Sequence, residues 1–338
     1  YTFRSENSSK QWATSYDFAS IESGHVVKTE LPDGNLAMAQ AYVFNLRREK
    51  FQDRRVREAL AMMFNFEWSN AQLFYGLYER VQSFWGNSEL EAKGAPTPGE
   101  RAVLQPLVDQ GLLSADILTD EAVMAPVSGA RQLDRKNLRR ASQLMDEAGW
   151  RVNSDGMREK AGQVFTLEVL DSSPAFDRIT NPMIENMKAL GIDARLNRVD
   201  TAQESERTRA YDFDVTTHSM RMSFEPSSGL EQYFGTKAMD QSSRNLMGLS
   251  DPAVDALIEK TVRAQSKAEL NTNIHALDRV LRAKRFWIPQ WFKAVHTVAY
   301  YDQYGYPDPL PPFARGELDF WWFDADKAAK LKAAGVLN

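Results

Sequence analysis

Apolar and polar residues alternate with a period of two in the middle of the chain. Three such stretches predict strands: Val164–Leu170, Ile192–Val199 and a third that starts at Ala210. In the third stretch, Tyr211, Phe213 and Val215 alternate with polar residues. Helical patterns fill the two intervals, residues 175–190 and 202–209. Strands that alternate with helices imply right-handed crossovers, so the pattern predicts an α/β fold with a largely parallel sheet.

The third predicted strand leads into an irregular loop, residues 218–226, which precedes a short helix over 228–234. In open parallel sheets, ligands bind beyond the carboxyl ends of the strands. We therefore expect this loop to form the floor of a binding site. Its candidate ligand-binding residues are His218, Met220, Arg221 and Ser223. A guanidinium group can bind a carboxylate or phosphate with two N–H groups, although an ordinary surface arginine is an equally good interpretation.

Aromatic residues suggest a second component of such a site. Aromatic residues make up 11% of the chain, and 8 of them are Trp. Trp85 and Tyr75 are candidates for a wall on which a ligand could stack. For each of them, packing in the hydrophobic core is the favoured alternative.

In the rest of the chain, capping residues and glycines predict where helices start and end. Asp53 is a predicted N-cap, and Asp251 followed by Pro252 marks the start of a later helix. Gly149 is expected to end an amphipathic helix that contains Leu138 and Met145. Residues 86–132 are rich in small and turn-forming residues and predict a long surface excursion. Residues 303–323 carry aromatic side chains that are too apolar to face water, and we expect them to pack on other parts of the protein or on another copy of the chain.

Composition excludes several classes of function. Of the 338 residues, 41 are basic and 46 are acidic, and the formal net charge of −5 argues against non-specific nucleic-acid binding. The chain has no Cys, which excludes disulfides and thiolate chemistry. It has no apolar run of roughly 18 residues, the length of a membrane span.

Catalytic and metal-binding motifs are missing. Residues 94–100 have the glycine spacing of a phosphate-binding loop, but Glu100 stands where a lysine is needed. The 4 His are scattered without a metal-ligand spacing, so we expect neither a metal site nor a cofactor. We therefore predict that the protein is not an enzyme. A glycan hydrolase remains the rival class, because Trp and carboxylates are abundant.

Four ordered motifs resemble one family of proteins. They are Tyr42–Leu60 with its Tyr-Val-Phe-Asn and Asp-Arg-Arg-Val-Arg-Glu-Ala-Leu phrases, Lys136–Trp150, Arg244–Ile258, and the strand Ile288-Pro-Gln-Trp291. Together they resemble the family 5 extracellular solute-binding proteins, the peptide, dipeptide and nickel receptors of ABC importers. Shorter phrases are similar to the Yej-type subgroup, associated with oligopeptide and microcin C uptake: Phe66–Trp68, Leu73–Gly76, Asn87–Leu90 and Val199–Gln203.

The resemblance implies a periplasmic binding protein-like class II architecture, with a mixed, largely parallel sheet and helices on both faces. Two lobes would close on a ligand. Residues 1–38 resemble the tail of the first lobe and the hinge, residues 39–291 the second lobe, and residues 292–338 a crossover back to the first lobe with a terminal helix. The chain would then lack most of the first lobe. Asn45 is expected close to the hinge.

The resemblance also implies the role and its partners. A periplasmic, monomeric receptor would capture a small peptide or peptide-like solute and deliver it to an ABC permease in the inner membrane. Met220 and Met222 stand where peptide-binding relatives tend to carry Trp and an Asp that pairs with the ligand's α-amino group. An opine, a sugar or a nucleotide conjugate therefore stays open as the ligand.

Overall fold

The computed structural model describes residues 2–337. Their strands are β1 (Phe3–Ser5), β2 (Val26–Pro32), β3 (Ala39–Phe44), β4 (Glu79–Arg80), β5 (Arg151–Val152), β6 (Arg158–Lys160), β7 (Gln163–Val164), β8 (Thr166–Asp171), β9 (Asp193–Arg198), β10 (Val215–Met220), β11 (Trp287–Pro289), β12 (Trp291–Phe292), β13 (Val295–Tyr301), β14 (Tyr304–Gly305) and β15 (Trp322–Phe323).

The α-helices are α1 (Ser9–Thr14), α2 (Ala19–Glu22), α3 (Arg54–Ala61), α4 (Phe66–Leu73), α5 (Pro98–Asp109), α6 (Arg135–Glu147), α7 (Asp177–Ala189), α8 (Thr201–Arg209), α9 (Gly229–Phe234), α10 (Pro252–Val262), α11 (Lys267–Ala283) and α12 (Ala325–Ala333). Short 3-10 helices cover Glu49–Phe51, Ala115–Leu118, Pro174–Phe176 and Thr236–Ala238. Among residues 2–337, every helix is too short or too polar to cross a bilayer.

A five-stranded sheet in the order β11-β3-β10-β8-β9 forms the centre of the fold. Strands β10, β8 and β9 run parallel, whereas β3 runs antiparallel to both of its neighbours. One face packs against α5, α10 and α11, and the other packs against α3, α6 and α7. The predicted α/β class, with a mixed, largely parallel sheet and helices on both faces, is confirmed.

The predicted helix boundaries follow from capping. The Asp53 carboxylate accepts a hydrogen bond from the Arg55 backbone N–H at 2.9 Å. Asp251 caps α10 in the same way, with Pro252 at the first helical position. Gly149 follows the C-cap of α6 with a φ of +87°, a left-handed conformation that glycine adopts without strain.

The predicted start of the third strand is wrong. Strand β10 begins at Val215, and Tyr211 takes a left-handed φ of +54° in the turn before it. Phe213 is buried in the core, and Asp214 accepts hydrogen bonds from the Lys50 ammonium and the Glu168 amide. The alternation of apolar and polar residues over 211–214 therefore belongs to a turn, in which Phe213 is the buried side chain. As a result, the loop beyond the strand starts at Arg221 rather than at residue 218.

The two ends of the chain meet in a separate three-stranded sheet in the order β1-β13-β2. Trp321 packs against it, with its ring 5.0 Å from Tyr300 and 5.4 Å from Phe3. The neighbouring Trp322 and Phe323 remain 51% and 61% exposed. The expectation that residues 303–323 pack on other parts of the protein is therefore met by Trp321 and not by these two side chains.

A buried ion pair fastens the long excursion of residues 86–132 to α11. Glu100 takes part in a capping box with Thr97 at the start of α5. Its other carboxylate oxygen accepts hydrogen bonds from two nitrogens of the Arg279 guanidinium, at 2.8 and 3.0 Å. Arg279 also donates to the carbonyl oxygens of Gly94 and Asp120. Both charged side chains are almost completely buried, so each depends on the other for compensation.

We expect Arg279→Ala to lower the free energy of unfolding by about 3–5 kcal/mol, because Glu100 is left buried without its partner. Urea unfolding measures the change. Arg263→Ala is the matched control on the neighbouring helix, since Arg263 pairs with Glu259 at 2.7 Å but is 76% exposed. The control should shift the unfolding midpoint much less. Equal shifts in the two variants would show that the buried ion pair contributes no more to stability than the exposed pair does.

His218 lies inside β10 and not in the loop, which corrects its expected position. Its Nε2 lies 3.1 Å from the Arg244 carbonyl oxygen, so the neutral ring donates from Nε2. Burial disfavours the charged imidazolium and lowers the pKa of His218, although the Arg244 carbonyl opposes this effect. His218 is therefore held neutral by its packing.

This lowered pKa predicts a loss of stability in acid. Between about pH 6.5, where an unfolded histidine titrates, and the lower native pKa, only the unfolded state takes up the proton. Stability is thus retained above that range and falls as the pH drops through it. His218→Gln removes this contribution, so its urea midpoint should fall less than that of the unaltered protein between pH 7.5 and 5. His296, whose pKa burial also lowers, remains in both proteins. An identical pH dependence in the two would contradict the assignment.

Candidate ligand-binding site

A groove of about 810 Å³ lies at the carboxyl edge of the central sheet. Three segments line it: the connection that leads into β3, the loop that leaves β10, and the residues that follow β11. They contribute Asp33, Asn35–Met38, Arg221–Glu225 and Trp291–Lys293. Arg221 and Ser223 are thus the two predicted site residues that the structure brings together.

The strand register explains why these segments converge. Met220, the last residue of β10, pairs with Ala39, the first residue of the antiparallel β3. Pro289, the last residue of β11, pairs with Ala41 of the same strand. The chain therefore enters β3 at the edge where it leaves β10 and β11. Polar backbone groups and side chains of irregular segments accumulate there, which is typical of binding sites.

The loop over residues 221–225 is held from below by Trp85. The Trp85 indole N–H donates to the Ser223 carbonyl oxygen at 3.2 Å, and the Ser223 hydroxyl accepts from the Glu225 amide at 3.1 Å. Trp85 and Met220 have no exposed surface, because both belong to the core beneath the loop. Neither can contact a ligand in this structure. Trp85 has the core position that was the favoured interpretation, whereas the expected direct role of Met220 is corrected, because its side chain is part of the core.

Aromatic side chains from elsewhere form the apolar part of the groove. Trp291 is half-buried, and its ring stacks on Phe176 at 5.7 Å and lies 4.6 Å from Phe74. On the other side, the Phe224 ring lies 5.0 Å from Phe313 of the C-terminal segment. Sequence analysis missed Trp291 as a site residue, although its Ile-Pro-Gln-Trp motif was recognised. The position of that motif directly after a predicted strand was the available signal.

The groove carries charges of both signs. Arg221 and Glu225 are exposed on the loop, whereas Asp33 and Lys293 lie on the opposite wall. The Lys293 ammonium donates to the Thr297 hydroxyl at 2.8 Å, and burial lowers its pKa. A ligand with separated positive and negative groups matches this arrangement, because each charge finds an opposite charge.

The two remaining predicted residues lie elsewhere. Tyr75 is half exposed, with a φ of +58°, in a different pocket of about 420 Å³ that Trp12 and Lys28 also line. Asn45 follows the far end of β3, six residues beyond Ala39, and its side-chain amide donates to the carbonyl oxygens of Tyr211 and Phe213. Asn45 thus fastens the turn at the edge of the sheet opposite the groove, and its expected position near the hinge stays a prediction.

Comparison with known proteins agrees with this architecture. The chain is 40% identical over 324 residues to a probable peptide-binding protein YejA of Agrobacterium fabrum, which covers 95% of this chain and 52% of that protein. It is 32% identical over 336 residues to an uncharacterized protein YejA of Escherichia coli, covering 99% of this chain and 55% of the relative. The chain thus spans about half the length of the curated relatives it matches, and the resemblance to the Yej-type subgroup is confirmed.

Among solved structures, the oligopeptide-binding protein AppA of Bacillus subtilis, in complex with a nonapeptide, superimposes with a TM-score of 0.67. That match covers 95% of this chain and 56% of AppA at 16% identity, so it shows a shared fold. The family model of bacterial extracellular solute-binding proteins, family 5 Middle, matches residues 5–241. Fold, relatives and family model agree, and the chain belongs to the family 5 bacterial extracellular solute-binding proteins.

Proposed function

We propose that this chain is the ligand-capturing part of a substrate-binding component of an ABC importer, and that it takes a peptide or peptide-like solute into the groove at the carboxyl edge of the central sheet. The proposal rests on one observation: the groove has positively charged, negatively charged and aromatic side chains in its walls. A short peptide has the matching chemistry, since it carries an ammonium group, a carboxylate and apolar side chains.

Each part of the groove has a role in this proposal. Arg221 binds the ligand carboxylate through charge-assisted hydrogen bonds. Glu225 and Asp33 supply negative charge for the ammonium group. Trp291 and Phe292 offer an apolar surface for a side chain. The names of relatives support this choice of ligand, because one is a probable peptide-binding protein and AppA holds a nonapeptide.

The proposal includes closure of a second lobe over the groove. Residues 39–291 form the ligand-binding lobe, whereas residues 1–38 and 292–338 belong to the hinge and the other lobe. Family membership supports this division, since binding proteins of this kind bury a ligand between two lobes. The protein then acts in the periplasm as a monomer that delivers its ligand to a membrane permease. It breaks no bond, requires no cofactor and binds no nucleic acid.

Calorimetry with the protein expressed from its complete gene tests the proposal. We expect trialanine to bind, and we expect Arg221→Ala to weaken that binding by about 1.5–3 kcal/mol, or about 10- to 150-fold in Kd, because a charge-assisted hydrogen bond is lost. Trialanine with an amidated carboxyl terminus should bind both proteins equally, since it lacks the carboxylate.

Arg209→Ala is the matched control. Arg209 is also exposed and precedes β10, at the edge of the sheet opposite Arg221, so its removal should leave affinity unchanged. A panel that adds an opine, a disaccharide and a peptidyl nucleotide decides between the peptide and the alternative ligands. Binding of one of these without any peptide binding would reject the peptide. Turnover of a glycan panel would reject the binding-protein role.

A further inference from the structure

The Asp33 carboxylate has one oxygen atom fixed by the protein and one that faces the groove. Its Oδ1 atom accepts hydrogen bonds from the Asn35 backbone N–H at 3.0 Å and from the Asn35 side-chain amide at 2.7 Å. Its Oδ2 atom accepts none from residues 2–337. The side chain is 23% exposed and lines the groove. The Oδ2 atom is therefore the one that a ligand ammonium group reaches.

The main chain holds this carboxylate in place. The Asp33 amide donates to the Ala294 carbonyl oxygen at 3.0 Å, and the Asp33 carbonyl oxygen accepts from the Asn87 side-chain amide at 2.8 Å. Asn87 also donates to the Asn35 carbonyl oxygen at 2.8 Å. Because residues 33 and 35 are both fastened, the carboxylate stays at the wall of the groove, and any group that pairs with it must come to it.

His296 approaches the same carboxylate from the interior of the protein. Its Nε2 atom lies 3.6 Å from Asp33 Oδ1, beyond the usual range of a hydrogen bond. Nε2 is enclosed and has no hydrogen-bond partner within the part of the chain that the structure describes. A neutral ring therefore gains little from Asp33, whereas an imidazolium would form a charge-assisted hydrogen bond after a small movement. Since Nε2 is enclosed, His296 can act on a ligand only through Asp33.

Four charged groups surround His296, and Asp33 is the decisive one. Arg315 and Glu317 compensate each other, because the Arg315 guanidinium donates to both oxygens of the Glu317 carboxylate. The Lys293 ammonium opposes a second positive charge on the imidazole, as Arg315 does. Asp33 lies within 4 Å of the ring and its Oδ2 atom has no protein partner, so a proton on His296 depends chiefly on this carboxylate.

We propose that His296 is a positioning residue for the ammonium subsite of the groove. A proton on His296 and a ligand ammonium group at Asp33 both pair with the same carboxylate, one at each oxygen, so each weakens the interaction of the other. The inference rests on the proposed function, because it concerns the ammonium group of the ligand that we place in the groove.

The two events are coupled reciprocally. The bound ligand disfavours the imidazolium by the same factor by which the imidazolium weakens ligand binding. Burial lowers the pKa of His296, and Asp33 opposes this effect. The ring is therefore neutral at pH 7 and takes up its proton below about pH 6.5, the usual pKa of histidine. Acid should then weaken binding, and binding in acid should release a proton from His296 to the buffer.

Calorimetric titration with trialanine at pH 7 and pH 5 tests this role on the protein expressed from its complete gene. The α-amino group of the peptide, with a pKa of about 8, is charged at both pH values. We expect binding to be about fivefold weaker, or more, at pH 5 than at pH 7. His296→Gln, whose amide takes up no proton, should reduce that ratio to within about twofold.

Proton release gives a second readout that a merely structural role of His296 would not change. At a pH between 5 and 6, the binding enthalpy of the unaltered protein should depend on the ionisation enthalpy of the buffer, because part of a proton is released for each peptide bound. This dependence should be much smaller in His296→Gln. Asp33→Asn should weaken binding at pH 7 and also remove the pH dependence, because it removes the carboxylate with which both cations pair.

His25→Gln is the matched control, since His25 contacts the Ser23 hydroxyl at 2.9 Å and does not line the groove. It should keep the fivefold ratio. Melting temperatures at both pH values verify that each protein is folded. Equal affinities at the two pH values in the unaltered protein, or a ratio that survives in His296→Gln, would overturn the role of His296 and leave the proposed function intact. Failure of trialanine to bind at pH 7 would overturn both.

Discussion

The pairing of β3 between β10 and β11 is the constraint on which the rest of the structure depends. Strand β3 runs against both neighbours, and its alternate residues supply both cores. Ala39, Ala41 and Val43 face one set of helices, whereas Tyr42 and Phe44 face the other. A slip of one residue would exchange these two sets and bury the wrong side chains on each face. The hydrophobic cores therefore fix the register.

The register in turn creates the groove. Because β3 is antiparallel to β10, its first residue lies beside the last residue of β10. In a fully parallel sheet, the segment before β3 would emerge at the other edge. A single reversed strand thus brings the connection over residues 33–38 to the loop over residues 221–225. Trp85 then fixes the position of that loop, because its indole N–H donates a hydrogen bond from the core to the Ser223 carbonyl oxygen.

Local signals were sufficient to predict most elements, but not the composition of the site. The helix starts at Asp53 and Asp251 depend on hydrogen bonds that each carboxylate accepts from backbone N–H groups two or three residues away, so the sequence reveals them directly. The role of Trp291 depends on Phe74 and Phe176, which are distant in the sequence. Trp85 lies in the core, as the favoured interpretation had it, but its hydrogen bond to the loop joins residues 85 and 223, and no local pattern records such a distant contact. The start of β10 was predicted too early, because Phe213 is buried between two polar residues and so fits the alternating pattern of a strand.

Two connections, not one, join the three-stranded sheet to the central sheet. One runs over residues 33–38 and the other over residues 290–294, and the Asp33 amide donates to the Ala294 carbonyl oxygen at 3.0 Å where they lie side by side. Two adjacent connections resist sliding and twisting of one sheet against the other, but they permit bending about the line that joins the connections. The groove borders this line, since Asp33 and Lys293 are among its lining residues. If the second lobe closes as proposed, the bend falls at these two connections and changes the width of the groove, to which each of them contributes lining residues.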